Sequence, residues 1–362
     1  MNEVPAQPRR SWLKHATGAF VSIGCLVWIL GHLDFDQILH AFATADYRTL
    51  PVMIVVVSTI LLLNAWRWTW MLRPLGRFSI REAFPPLMIG LAMNNILPAR
   101  LGELVRVDLF CRRNHTPRAA VLAGIALERV FDIVSVLGFL MIGLACLPQT
   151  DPRIRDAAWW LVGLTSVAVA GAGIYVLWTE TITRWLNTLL QRVPGMPAGI
   201  RQWVNRFLCQ SATGLGVLRS RTLAGRSFVN TLAQWGLAAF QMSLALYAFG
   251  ISISPAVACL LVSVVAIGVT VPSAPGFIGV IQALFVLVIN KQTVGPVDEA
   301  AVVAASVYYH MTQYLLVTAT GLILLLRSSW NRSSATADLR ESRHSRTDSQ
   351  DVTAPGSGRI AA

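Results

Sequence analysis

The side chains best equipped for chemistry in this sequence fall in two short runs. The first, Asn94-Asn95-Ile96-Leu97-Pro98-Ala99-Arg100-Leu101-Gly102-Glu103-Leu104-Val105-Arg106, gathers two amides, two arginines and a carboxylate around a proline and a glycine. Amides and guanidiniums recognise a polar headgroup by directed hydrogen bonds, and the guanidinium adds a permanent positive charge. If a helix resumes at Gly102, Glu103 and Arg106 are three apart on one face and can pair. An interfacial loop with its charges in water is the alternative. The second run, Glu128-Arg129-x-x-Asp132, sits inside the otherwise apolar stretch 119–147. Glu128 and Asp132, four apart, share a helical face, and Arg129 can neutralise Asp132 within the helix. Each ionisable side chain at the centre of a span costs about 2.5 to 3.5 kcal/mol and characteristically faces a bundle interior or a pathway. A helix protruding into water would make the same cluster interfacial.

Other polar residues carry less. Arg67, flanked by Trp66, Trp68 and Trp70, reads as an arginine snorkelling within an aromatic belt. Tyr308, Tyr309, His310, Thr312, Gln313 and Tyr314 form a band that either packs or lines a headgroup cavity. His310 alone makes no metal site, because no second histidine or carboxylate stands at ligand spacing. Asp34-Phe35-Asp36 is similar to the acidic pairs with which membrane glycosyltransferases hold a metal or a base, in a tripeptide short enough to arise by chance. The five cysteines show no paired spacing and read as small apolar fillers, not as disulfide or metal ligands. Phosphate-loop, dinucleotide and nucleophile motifs are absent from the sequence. Neither cofactor nor metal is expected, and a carrier is expected before an enzyme.

The elements that must position these residues are set by composition. Charged residues make up 13% of the 362, about half the share in soluble domains, and hydrophobic residues 54%. With a mean hydropathy of +0.56, too little polar surface remains to cover a water-soluble globule, which excludes an ordinary soluble enzyme. The net charge of +12 then points to a phospholipid surface and not to nucleic acid. Apolar stretches at 16–33, 51–72, 119–147, 157–178, 227–249 and 300–326 are each near the roughly 20 residues that cross a bilayer. Two further stretches are interrupted. Pro98 and Gly102 divide 83–113, and Pro272-Ser273-Ala274-Pro275-Gly276-Phe277, with Gly279 beyond, divides 255–290. Each predicts a helical hairpin that enters and leaves on one side, broken where proline removes a backbone donor.

Charge asymmetry supplies the topology, because Lys and Arg accumulate on the cytoplasmic side of short loops. Segments 1–15, 73–82, 100–118, 179–226 and 327–362 hold 24 of the 30 basic residues, and the alternate loops hold only Arg48, Arg153, Arg155 and Lys291. Both termini are therefore expected in the cytoplasm. Arg9-Arg10 loosely resembles a twin-arginine export signal but reads as the start of a signal anchor, since no small-residue cleavage site follows. The order span, span, broken hairpin, span then occurs twice with opposite starting sides. The expected fold is an all-α integral membrane protein of six full spans and two broken re-entrant hairpins, arranged as an inverted repeat of 16–147 and 157–326. Between the halves, 180–226 carries Trp203 and Phe207 at helical spacing among arginines and reads as a helix on the anionic inner leaflet. The Ser-, Thr- and Arg-rich segment 327–362 reads as a disordered cytoplasmic tail.

Three motifs, Asn95-x-x-Pro98-Ala99-Arg100-x-Gly102-Glu103-x-x-Arg106, Glu128-Arg129-x-x-Asp132 and Pro272-x-x-Pro275-Gly276-x-x-Gly279, resemble the lysylphosphatidylglycerol synthase transmembrane-region family of flippase-like membrane proteins. The resemblance runs over residues 12–326. It implies movement of a polar lipid across the bacterial cytoplasmic membrane. Where the family has a second glycine after Pro-Gly and a glutamate shortly beyond, this chain has Phe277 and Gln282, and His310 stands where an arginine is common. No soluble aminoacyl-transferase domain follows, so the chain reads as the membrane part alone. Residues and resemblance together give the expectation of a translocase for a polar lipid or lipid-linked glycan. Asn94, Asn95, Arg100, Glu103, Arg106, Glu128, Arg129, Asp132, Gln282 and His310 would meet the headgroup, while Pro98, Gly102, Pro272, Pro275, Gly276 and Gly279 break the hairpins. Expected partners are a phospholipid or polyprenyl-linked headgroup and the anionic inner leaflet. The alternatives are a lipid-linked glycosyltransferase or lipid-modifying transferase that uses Asp34 and Asp36, and a non-transporting accessory subunit that recruits an envelope-biosynthesis protein through 180–226.

Overall fold

The computed structural model describes residues 35–97, 101–147, 198–270, 275–292 and 297–351, with scattered positions between 156 and 188. The expectations for 1–33, Asp34, Pro98, Arg100, Pro272 and most of 157–197 lie outside the described residues. Every described element is helical: α1 (Phe35–Thr44), α2 (Thr49–Met71), α3 (Ile80–Ile96), α4 (Gly102–Asn114), α5 (Arg118–Cys146), α6 (Ala198–Gly214), α7 (Arg221–Ala248), α8 (Pro255–Gly268), α9 (Val280–Gln292) and α10 (Glu299–Asp351). Among them α2, α5 and the Glu299–Arg327 part of α10 are long and apolar enough to cross a membrane. They coincide with the stretches 51–72, 119–147 and 300–326. The stretch 227–249 falls in α7, a 28-residue helix with a polar face of Ser227, Asn230, Thr231, Gln234 and Gln241, all buried.

Both interrupted stretches are pairs of short helices. A capping box between Ser79 and Glu82 starts α3, and Glu82 Oε2 accepts the Ser79 backbone N–H at 2.8 Å. The helix passes through Pro85 and Pro86 and ends at Leu97, whose φ of −91° and ψ of 144° are extended. That is the conformation a residue preceding proline must take to clear the ring. From Gly102 the chain returns as α4 directly against α3. A side-chain carbon at Gly102 would overlap the Gly90 carbonyl oxygen, so only glycine permits this approach. In the second pair, Ser254 caps α8, its Oγ accepting the Val257 N–H, with Pro255 at the first helical position. The break before α9 places Gly276 (φ 75°), Phe277 (φ 58°) and Gly279 (φ 87°) in the left-handed region.

The helices enclose two apolar cores. One joins Met53 of α2, the second half of α5, the second half of α7, α8, α9 and the start of α10, with Phe285 and Leu246 at its centre. The other joins the end of α2 with α3, α4 and the first half of α5, around Trp68, Leu87 and Phe110. Helix α2 runs antiparallel to α7. At one end Asp46 N–H donates to the Ala248 carbonyl at 2.8 Å, and at the other Pro74 lies against Gly216. Helix α6 packs on α5. The backbone of α10 stays helical to Asp351, past Arg327 where composition predicts a disordered tail. Residues 328–351 contain neither proline nor glycine, so no residue there forces the helix to stop.

Candidate functional site

Between the two cores lies a chain of ion pairs drawn from three helices. Glu128 of α5 is fully buried and takes a two-pronged grip from Arg106 of α4, whose Nη1 and Nη2 donate to its two carboxylate oxygens at 3.1 and 3.2 Å. The Arg106 guanidinium stacks over the Trp68 ring at 3.9 Å, a cation–π contact in a desolvated setting. Arg67 of α2 reaches the same carboxylate, Nε to Oε1 at 3.9 Å. Its Nη1 donates to Asp132 Oδ1 at 2.6 Å and to Thr231 Oγ1 of α7 at 2.9 Å. Arg129 closes the chain, 3.3 Å from Asp132 and 3.6 Å from Glu103. Three guanidiniums thus meet three carboxylates, which meets the condition for placing charge inside a low-dielectric bundle.

Sequence spacing predicts part of this network. Arg129 does pair with Asp132 along α5. Glu103 and Arg106 do not pair with one another: both turn outward from α4 to meet α5. Arg67 departs most from expectation. It is not a snorkelling arginine but a buried one, 2% exposed, and it bridges Glu128 to Asp132. The tryptophans around it divide, Trp66 being 49% exposed and Trp68 1%, as two residues 200° apart on a helix must. A signal for this existed. Asn64 stands three residues before Arg67 in an apolar span, so two polar side chains share one face, and a polar face in such a span belongs inside.

The network borders a cavity of about 360 Å³. Its walls bring together Asn94 and Asn95 from the end of α3, Glu103 and Arg106 from α4, Arg129 and Asp132 from α5, and His310 from α10. Gln313 of the polar band on α10 and Phe277 at the second break also line it, as do Asn64 of α2 and Gln234 and Gln241 of α7, which spacing arguments missed. On α7 the signal was Asn230, Gln234 and Gln241 recurring at helical period. Glu128 lies behind the wall. Gln282 is turned away: its Oε1 accepts the Gly279 N–H at 2.7 Å and completes the first turn of α9 instead of facing a headgroup. The two helix breaks converge here, because α3 packs against the Pro275–Phe277 turn and Asn95 Nδ2 donates to Thr318 Oγ1 of α10 at 2.9 Å.

Several polar atoms around this cavity have no hydrogen-bond partner among the described residues: Asn64 Oδ1, Asn94 Oδ1, Gln241 Nε2, His310 Nδ1 and the Nε atoms of Arg67, Arg106 and Arg129. Native proteins leave few buried polar groups unpaired, so such a concentration needs water or a ligand to meet it.

Comparison with known proteins places the chain. Residues 16–321 match the family described as the lysylphosphatidylglycerol synthase TM region. Glycosyltransferase AglD of Haloferax volcanii is 23% identical over 369 residues that include 92% of this chain. The chain spans 58% of that relative's length. Two UPF0104 membrane proteins of Methanothermobacter thermautotrophicus are 26% and 21% identical, with 84% and 83% of this chain and 91% of each relative covered.

Proposed function

The chain is an integral membrane protein and belongs to the lysylphosphatidylglycerol synthase TM region family, and from that premise we propose that it translocates a polar lipid or lipid-linked glycan across the bacterial cytoplasmic membrane. The observation that carries the proposal is the 360 Å³ cavity, walled by charges and amides at the meeting point of two broken helices. Broken helices at membrane depth are tolerated where they line a water-filled or substrate cavity, and in transporters they mark the substrate path. In this reading the chain makes six spans and two re-entrant hairpins as an inverted repeat, with both termini inside. Asn94, Asn95, Glu103, Arg106, Arg129, Asp132 and His310 face the headgroup, Arg100 is assigned to the same contact from the sequence motif alone, and Glu128 fixes Arg106 from behind. Helix α6, whose Trp203 and Phe207 stack at 5.6 Å and stand exposed, rests on the anionic inner leaflet.

Purified protein reconstituted with fluorescent phospholipid tests this. Dithionite, which bleaches only the outer leaflet, should bleach nearly all label in proteoliposomes and about half in empty ones. Asn95→Leu, which leaves every ion pair intact, should slow the exchange at least tenfold. Equal bleaching with and without protein would overturn the reading. Similarity to a relative named as a glycosyltransferase supports a second reading, transfer from a lipid-linked sugar using Asp34 and Asp36. Asp36 opens α1, outside the cavity wall, so loss of turnover on Asp36→Asn with Asn95→Leu indifferent would favour it.

A further inference from the structure

Ion pairs and uncharged polar groups both line the cavity wall. Around α5 each described guanidinium is already matched by a carboxylate: Arg106 by Glu128, Arg67 by Asp132 and Glu128, Arg129 by Asp132 and Glu103. Because three carboxylates already neutralise three guanidiniums, an anionic headgroup would add net negative charge to this wall, while the unpartnered Nε–H groups of Arg67, Arg106 and Arg129 can be met by a neutral oxygen. Uncharged polar groups line the same cavity. Asn64 offers an unpartnered acceptor, Gln241 an unpartnered donor and His310 a free ring nitrogen, and Trp235 and Tyr314 add aromatic surface. Gln241 is 1% and His310 6% exposed, so neither is a surface amide or imidazole that bulk water satisfies.

A ligand that answers this wall must both donate and accept hydrogen bonds, carry no net charge, and present an apolar face to an aromatic ring. Vicinal hydroxyls on a pyranose do all three. Resting on the headgroup-path reading above, we propose that Asn64, Gln241 and His310 bind an uncharged glycosyl headgroup in this cavity. The paired charges beside them form a neutral wall and are not an anion site. The cavity lies among membrane-spanning helices, so the sugar is lipid-borne.

The test uses the full chain in phosphatidylcholine nanodiscs doped with monoglucosyldiacylglycerol, phosphatidylglycerol or diacylglycerol of identical acyl chains, with retained lipid read by native mass spectrometry. The glucosyl lipid should be retained about tenfold over each of the others. Gln241→Met and Asn64→Leu should each reduce that retention about tenfold. Neither should lower the melting temperature, because an apolar isostere removes an unmet polar group from the interior. Loss of retention with preserved or raised stability is a combination that a packing role does not produce. Phosphatidylglycerol retained as well as the glucosyl lipid, unaltered retention in both variants, or competition by free methyl glucoside at equal concentration would each overturn the proposal. Exchange of labelled phosphatidylglycerol without glucosyl preference would remove this inference and leave the translocase reading standing. Glucosyl retention with no lipid movement would do the reverse.

Discussion

At the scale of single residues, burial decides what each charge is worth. Arg106 and Glu128 are at most 3% exposed; truncating Glu128 leaves Arg106 dry and unpaired, and truncating Arg106 leaves Glu128 with only the 3.9 Å contact to Arg67, at a cost of about 3 to 5 kcal/mol. Arg112 also meets a carboxylate at short range, Asp108 at 2.6 Å, but its side chain is 68% exposed, and such pairs are worth about 0 to 1 kcal/mol. Thermal unfolding in detergent should therefore show Arg106→Ala and Glu128→Gln strongly destabilised and Arg112→Ala near wild type. Equal melting of all three would mean that the network is hydrated. Phe277 supplies a second expectation. It occupies the left-handed region, where a side chain costs about 1 to 2 kcal/mol that glycine does not. Phe277→Gly, the residue of the resembled family, should raise the melting temperature while widening the cavity that Phe277 lines. A lower melting temperature would show that its ring contacts outweigh the backbone strain. The motif residues were legible in the sequence because their charges stand out against apolar surroundings. Arg67 was misread because three flanking tryptophans suggested an interface, and only helical phase, with Asn64 on the same face, separates the two cases.

At the scale of elements, the interruptions were the most readable feature and their consequence the least. Proline forces Leu97 extended and excludes a continuous helix, so the break could be placed to within a few residues from sequence alone. That α3 and α4 then lie nearly in contact depends on Gly102 facing Gly90, a match between residues twelve apart that no local rule supplies. Gly102→Val should wedge the pair apart, since its side chain would overlap the Gly90 carbonyl. The expected result is a variant that expresses poorly or melts well below wild type. Gly225→Ala, at a glycine with open space around it, should instead be neutral or slightly stabilising, because alanine is the better helix former. Equal stability of the two variants would show that the α3–α4 contact is loose. The polar face of α7 escaped the same reading because a stripe of amides dilutes hydropathy without adding charge. It reads as a weakened span, although burial of that stripe is what carries Gln234 and Gln241 to the cavity.

At the scale of the whole molecule, the pairing of α2 with α7 fixes relative direction, and charge asymmetry is the proposed guide to absolute direction. The Asp46–Ala248 hydrogen bond puts the start of α2 and the end of α7 on one side, and the contact of Pro74 with Gly216 puts their other ends together. Arginines gather at the second of these sides: Arg73 and Arg77 follow α2, and Arg219, Arg221 and Arg226 surround the start of α7. The first side holds Arg48 beside Asp46. If cytoplasmic retention of Lys and Arg orients the bundle, Cys209 of α6 faces the cytoplasm, and so does the end of α4 with Arg112 and Arg113. A cysteine replacing Thr44, at the exposed end of α1, faces outside. In a background without other cysteines, a membrane-impermeant maleimide added to intact cells should label Thr44→Cys and leave Cys209 unlabelled until the membrane is opened. The reverse pattern would invert the molecule. Labelling of both positions from one side would be the more informative failure, because α2 and α7 would no longer separate two aqueous compartments. The cavity between them would then have no second side to which a headgroup could be delivered.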